Sequence, residues 1–93
     1  MNFYVYLIIS RRINKFISYV GYTKNLSERI KLHNISRGAK FTRGNKWILI
    51  YFKSFNSKSK AMKEEYKLKK NYKLRSKIKK NYLQNENFNT ASI

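Results

Sequence analysis

The chain has 93 residues, with 22 Lys and Arg against 4 acids, no cysteine and one histidine, and a formal net charge of +18. That length makes one small domain with a modest core, and it excludes disulfides, thiolate metal sites and a multi-histidine zinc centre. A balance this basic seeks polyanions, so the expected partner is nucleic acid, DNA or RNA, ahead of a membrane surface.

The first ten residues, MNFYVYLIIS, lack a basic leader and read as a strand rather than a signal peptide. No apolar run reaches the length of a membrane span, so no membrane partner and a cytoplasmic location are expected. The spacing predicts a strand over Phe3–Ile9. Phe3, Val5, Leu7 and Ile9 take one face and Tyr4, Tyr6 and Ile8 the other, so both faces should be covered. Arg11–Lys15, with Asn14, suits a hairpin turn. Phe16–Tyr22 follows as the partner strand.

Ser18–Asn34 is the stretch the rest is organised around. Gly21 interrupts the strand pattern where the chain must turn or admit something against its backbone. Asn25 reads as an N-cap, with Glu28 placed to close a capping box. The helix Leu26–His33 buries Leu26, Ile30 and His33. Arg29 and His33 lie four apart and share a face. Tyr19, Tyr22, Arg29 and His33 are therefore expected to converge where sheet meets helix.

Ser36–Lys46 has two glycines and four cations and reads as an exposed basic loop. Its cations either stay solvated or contact phosphates. Trp47–Phe55 is the strongest strand. A helix should start after Asn56 or Ser57 and run to about Lys70. Ala61, Glu65 and Leu68 line its inward face, flanked by Met62 and Tyr66, while Glu64 points outward. A carboxylate at Glu65 is costly unless it meets a cation, a metal or donors. Tyr72–Leu83 makes a last helix, with Leu74, Ile78 and Tyr82 at four-residue spacing. Residues 84–93 have no periodicity and read as a disordered tail after a 1–83 domain. The order β-β-α-β-α-α predicts an α+β fold, a small three-stranded antiparallel sheet packed with helices.

The acids narrow the chemistry further. They are Glu28, Glu64, Glu65 and Glu86, with no aspartate. Two-metal nucleases hold their ions with several carboxylates, so a nuclease built on this chain works with one carboxylate and at most one metal.

Tyr4-Val5-Tyr6, Tyr19-Val20-Gly21 and the run through Thr23, Asn25, Leu26, Arg29 and His33 resemble the GIY-YIG nuclease superfamily. Ala61–Tyr66 resembles the helix that carries the family's metal-binding glutamate, with Glu65 at the matching position. The likeness is to small stand-alone members related to the nuclease domain of excision-repair UvrC proteins, and it reaches about Leu83. Three features depart from the pattern. Tyr4 replaces the opening glycine of the first motif, which keeps only Tyr6. Tyr22 stands where the excision-repair members carry a lysine. The family's later asparagine has no unambiguous match at Asn71 or Asn81.

The resemblance implies a metal-dependent endonuclease that hydrolyses phosphodiester bonds of DNA, acting on structured substrates in repair or recombination. It implies one Mg²⁺ or Mn²⁺ on Glu65, with no small-molecule cofactor. Arg29 would donate to the phosphate, Tyr6 or Tyr19 would take the water's proton, and His33 would orient a tyrosine or the water. Lys24, Arg37, Lys40, Arg43 and Lys69 are the expected phosphate contacts, in a monomer or weak homodimer. The competing reading is a non-catalytic basic nucleic-acid-binding module, in which the tyrosines are strand aromatics and a lysine neutralises Glu65.

Overall fold

The computed structural model describes residues 2–91, with side chains through residue 85. Strand β1 (Phe3–Arg12) pairs antiparallel with β2 (Lys15–Thr23) on one side and β3 (Ile48–Phe55) on the other, giving the order β2-β1-β3. Helix α1 (Leu26–Asn34) and a single 3-10 turn (Lys40–Thr42) lie between β2 and β3, and α2 (Lys58–Lys70) and α3 (Tyr72–Ala91) follow. The fold is the expected α+β arrangement in the expected order.

β1 is central because both of its faces are buried. Val5 and Leu7 point into a core with Val20, Ala61 and Leu68, against which Ile78 of α3 also packs. Tyr6 and Ile8 point the other way, toward Trp47, Leu26 and Ile30. All of Val5–Ile9 is buried. The hairpin is tighter than the sequence suggests. Arg12 pairs with Lys15, so only Ile13 and Asn14 turn and both strands are longer. A bulge between Leu7 and Ile8 leaves Ile50 without a partner on β1, which locally strengthens the twist.

The caps explain where the helices begin. Asn25 Oδ1 accepts the Glu28 amide at 3.2 Å. The reciprocal half of the expected capping box is made differently: the Asn25 amide donates to Thr23 Oγ1 at 3.2 Å. Ser57 caps α2 by accepting from the Lys60 amide. Asn71 closes α2, and its Oδ1 accepts the Leu74 amide at the start of α3, which makes Asn71 a cap.

One expected boundary differs. α3 continues past Leu83 to Ala91. Loss of apolar spacing does not stop a helix, and no glycine or proline stands after Gly44 to end it. Ser92 and Ile93 lie outside the described residues. On α2, Ala61 and Leu68 are buried as expected, and the flanking Met62 and Tyr66 are 47% and 61% exposed. Four residues apart, they lie together on one side of the buried stripe.

Arg75 is committed to the fold. Its guanidinium donates to the Leu68 and Lys69 carbonyls and, at 3.5 Å, to Ser18 Oγ on β2. It ties the end of α2 to the sheet edge.

Candidate active site

On the α1 side of the sheet a run of hydrogen bonds crosses three segments of the chain. Tyr6 sits on β1 opposite Gly21 of the edge strand. Its ring crosses that glycine, and a Cβ there would fall on the Tyr6 hydroxyl. Gly21 is therefore a place of close approach, not a turn. The hydroxyl lies 2.8 Å from Nε2 of His33, and Nδ1 of His33 lies 2.8 Å from Thr42 Oγ1. Gly38 passes so close to Nδ1 that a Cβ would clash with it.

The protons in this run can be assigned. Thr42 donates its one hydroxyl proton to the Ala39 carbonyl at 2.8 Å. It must then accept from His33, so the histidine proton is on Nδ1. Burial, helped by the charge of Arg29, lowers the His33 pKa to about 4. The ring is neutral at pH 7, Nε2 is an acceptor, and Tyr6 donates to it. Arg29 Nε in turn donates to the Tyr6 oxygen at 3.4 Å. That use of Nε leaves the two terminal amino groups of the guanidinium for an anion.

Tyr19 joins through its ring. It meets His33 edge-on at 5.2 Å between centroids and stacks on Phe41 at 6.1 Å and 20°. Tyr6 is fully buried and Tyr19 only partly. Burial pushes the Tyr6 phenol above its ordinary pKa despite the pull of Arg29, and the charges of Tyr19 and Glu65 push the same way. At Tyr6, then, desolvation outweighs one guanidinium.

Glu65 stands on a helix of the other layer, whose Ala61 and Leu68 pack on the Val5 and Leu7 face of the sheet, and its charge adds to the rise at Tyr6. Its side chain is 19% exposed and pairs with Lys69 Nζ at 3.6 Å. Among the described residues no group of three His, Cys, Asp or Glu gathers as a metal cage. A hard cation that keeps most of its waters and takes substrate oxygens needs no such cage. The half-buried Glu65 carboxylate fits that requirement, provided the Lys69 ammonium that now faces it gives way to the cation.

Tyr22 does not join the site. It packs beside Val5 and Leu7 on the opposite face, because residues three apart on a strand point opposite ways. Of the expected phosphate contacts, Lys24 is exposed over the Phe3 ring. Arg37, Lys40 and Arg43 are exposed between α1 and β3. Lys69 is held by Glu65.

Thr42 is the residue that sequence reasoning missed. It lies in the segment read as an exposed basic loop, yet it is fully buried. Trp47 Nε1 donates to its carbonyl at 2.8 Å, and Asn34 clasps the Trp47 backbone. Nothing in the local pattern marks it. Its burial follows from the distant position of His33.

Comparison with known proteins bears on the family of the chain. A family model described as the GIY-YIG catalytic domain matches residues 2–84. A UPF0213 protein of Oceanobacillus iheyensis is 43% identical over 67 residues, 71% of this chain and 74% of that protein. A UPF0213 protein of Clostridium perfringens is 49% identical over 53 residues, 56% of this chain and 57% of that protein. A solution NMR structure of a UPF0213 protein from Bacillus halodurans is 41% identical, covers 74% of this chain and 71% of its own, and superposes with a TM-score of 0.40. Sequence motifs and family match together place the chain in the GIY-YIG family, among its small UPF0213 relatives.

Proposed function

We propose that the chain is an endonuclease that hydrolyses DNA phosphodiester bonds with one Mg²⁺ or Mn²⁺, selecting its substrates by structure as a repair or recombination enzyme would. The observation that carries this reading is Arg29. It is held through Nε on Tyr6, its terminal amino groups have no partner among the described residues, and it sits in a chain of net charge +18. That is how a donor is pre-aimed at a phosphate as charge builds on its oxygens.

In this reading Tyr6 and His33 position Arg29, and Tyr19 meets the water. The buried Tyr6 has already given its hydrogen bond to His33. Tyr19 is the partly exposed phenol, and its hydroxyl has no hydrogen-bond partner among the described residues. Tyr19 acts as a base where cations stabilise its phenolate. Arg29, held on Tyr6, would supply one such charge. A metal on Glu65 would supply another and would neutralise charge on the departing oxygen. Lys40 and Arg43 would hold flanking phosphates.

The Glu65–Lys69 pair is the observation that favours the non-catalytic alternative. Glu65→Gln separates the two. As a metal ligand, Glu65 is replaced by a group that keeps its shape but not the charge that binds a cation. Metal-dependent nicking should then fall to background while the melting temperature holds. Intact nicking in the variant would overturn the assignment. An unfolded variant would make Glu65 the structural partner of Lys69.

A further inference from the structure

Beside the catalytic residues lies an open cleft of about 560 Å³, lined by Arg12, Ile13, Asn14, Lys15, Ile17 and Phe41. It lies between the tip of the β1–β2 hairpin and the 3-10 turn. Its apolar surface is exposed: Ile13 is 94% and Phe41 56% accessible. Its rim is cationic. Arg12 and Lys15 line it, Lys40 and Arg43 flank Phe41 in sequence, and among the described residues none of the four is paired with an acid.

We infer that this cleft binds an unpaired nucleobase next to the scissile phosphate, with Phe41 as its stacking platform. The inference rests on the nuclease reading for where that phosphate lies. Phe41 lies nearly parallel to Tyr19 at 6.1 Å, and Tyr19 meets His33 at 5.2 Å. The aromatic stack thus runs out from the buried relay and ends in an exposed ring. A planar heterocycle is the ligand that extends such a stack. Flanking guanidinium and ammonium groups ask for a phosphodiester on either side of it. No acid stands in the lining to attract a basic peptide instead. Base pairs in a duplex hide their faces, so only a base in a single-stranded tail, a flap or a splayed junction can enter. Asn14 alone offers a side-chain amide for base edges, so the cleft selects for unpaired structure and not for sequence.

The test measures binding in EDTA, so it does not depend on cleavage. The probes are a blunt DNA duplex and the same duplex with a single-stranded tail carrying 2-aminopurine. Wild-type protein should favour the tailed duplex by about 5- to 150-fold, the range for stacking of one base on an aromatic side chain. It should also quench the 2-aminopurine emission. Phe41→Leu should bring the tailed-to-blunt ratio toward one and abolish quenching, while Phe41→Tyr keeps both. Ile13→Asn changes a fully solvated turn residue and so preserves the fold. It should lower the ratio in the same direction.

Equal wild-type binding to both probes overturns the inference. So does a Phe41→Leu variant that weakens both probes alike. Concentration-dependent dimers that vanish in both variants, without any 2-aminopurine response, would make the cleft a subunit contact and overturn it as well. A tail preference that follows Phe41 in a protein without metal-dependent cleavage would sink the nuclease reading and leave the cleft standing.

Discussion

The two faces of the central strand have opposite characters. Toward α2 and α3 the side chains of Val5 and Leu7 meet Val20, Ala61 and Leu68 in an apolar layer. Toward α1 the next residue along, Tyr6, enters a buried layer that holds His33 and Thr42. Every polar side-chain atom buried there is hydrogen-bonded; among the described residues no buried one lacks a partner. An apolar layer stabilises in proportion to area and tolerates repacking. A hydrogen-bonded layer fixes atoms in one arrangement, and each member is costly to leave alone. In this small domain one face supplies cohesion and the other fixed geometry, and strand alternation keeps them apart.

The largest expected effect separates the two faces outright. Tyr19→Phe removes a hydroxyl with no hydrogen-bond partner among the described residues, so the melting temperature should hardly move. Cleavage should fall by about 10²- to 10⁴-fold, as for loss of a general base. Leu7→Ala on the other face should do the reverse. It should cost about 2–5 kcal/mol of stability, while activity per folded molecule, measured well below the melting transition, stays near wild type. Intact cleavage in Tyr19→Phe would move the base to Tyr6.

The apolar face was the more legible of the two in the sequence. Burial on both sides of β1 and the inward stripe of Ala61, Glu65 and Leu68 follow from short-range periodicity, and capping chemistry marks Asn25 and narrows the start of α2 to Asn56 or Ser57, of which Ser57 is the cap. The site was legible in part. Arg29 and His33 share a helix face by spacing alone, and Gly21 was marked as a place where the chain either turns or admits a close approach, the second being what the structure shows. Tyr22 was misplaced although the period of two already assigns it to the face opposite Tyr19. Thr42 was not readable. A buried threonine between Phe41 and Arg43 looks like any polar loop residue until His33, nine positions earlier, is placed against it. That Glu65 stands in the opposite layer was equally hidden, because a helical stripe shows which way is inward but not which sheet face it meets.

A smaller effect sharpens the comparison at Thr42. Thr42→Val is close in shape but removes the acceptor for His33 Nδ1–H. The orphaned donor should cost about 1–3 kcal/mol. A merely structural role predicts nothing more. Here the histidine has lost the group that fixed its tautomer, so its ring ¹⁵N shifts should move from the Nδ1–H pattern toward a mixture. Thr42→Ser keeps the hydroxyl and should restore both the shifts and cleavage. Unchanged ¹⁵N shifts in Thr42→Val would show that the tautomer is set elsewhere.

The smallest effect is a pH dependence that belongs to the polar face alone. The folded-state pKa of His33 is lowered to about 4, by burial first and then by Arg29, against about 6.5 for an unfolded histidine. Between those values the unfolded chain binds a proton that the folded chain refuses. Stability from this residue is therefore complete above pH 6.5 and lost as pH falls toward 4. Tyr6 sets the opposite edge. Burial raises its phenol above 10, so the unfolded chain releases a proton that the folded chain keeps, and stability is lost as pH rises past 10. A chain of net charge +18 has other pH-dependent terms, so the readout is the difference between proteins. Melting temperatures of wild type and His33→Gln should run parallel above pH 6.5 and converge below it. Those of wild type and Tyr6→Phe should run parallel below pH 10 and converge above it. Leu7→Ala, on the apolar face, should stay parallel to wild type throughout. Convergence in Leu7→Ala would mean that the pH dependence is a property of the whole charged chain and not of the layer around His33.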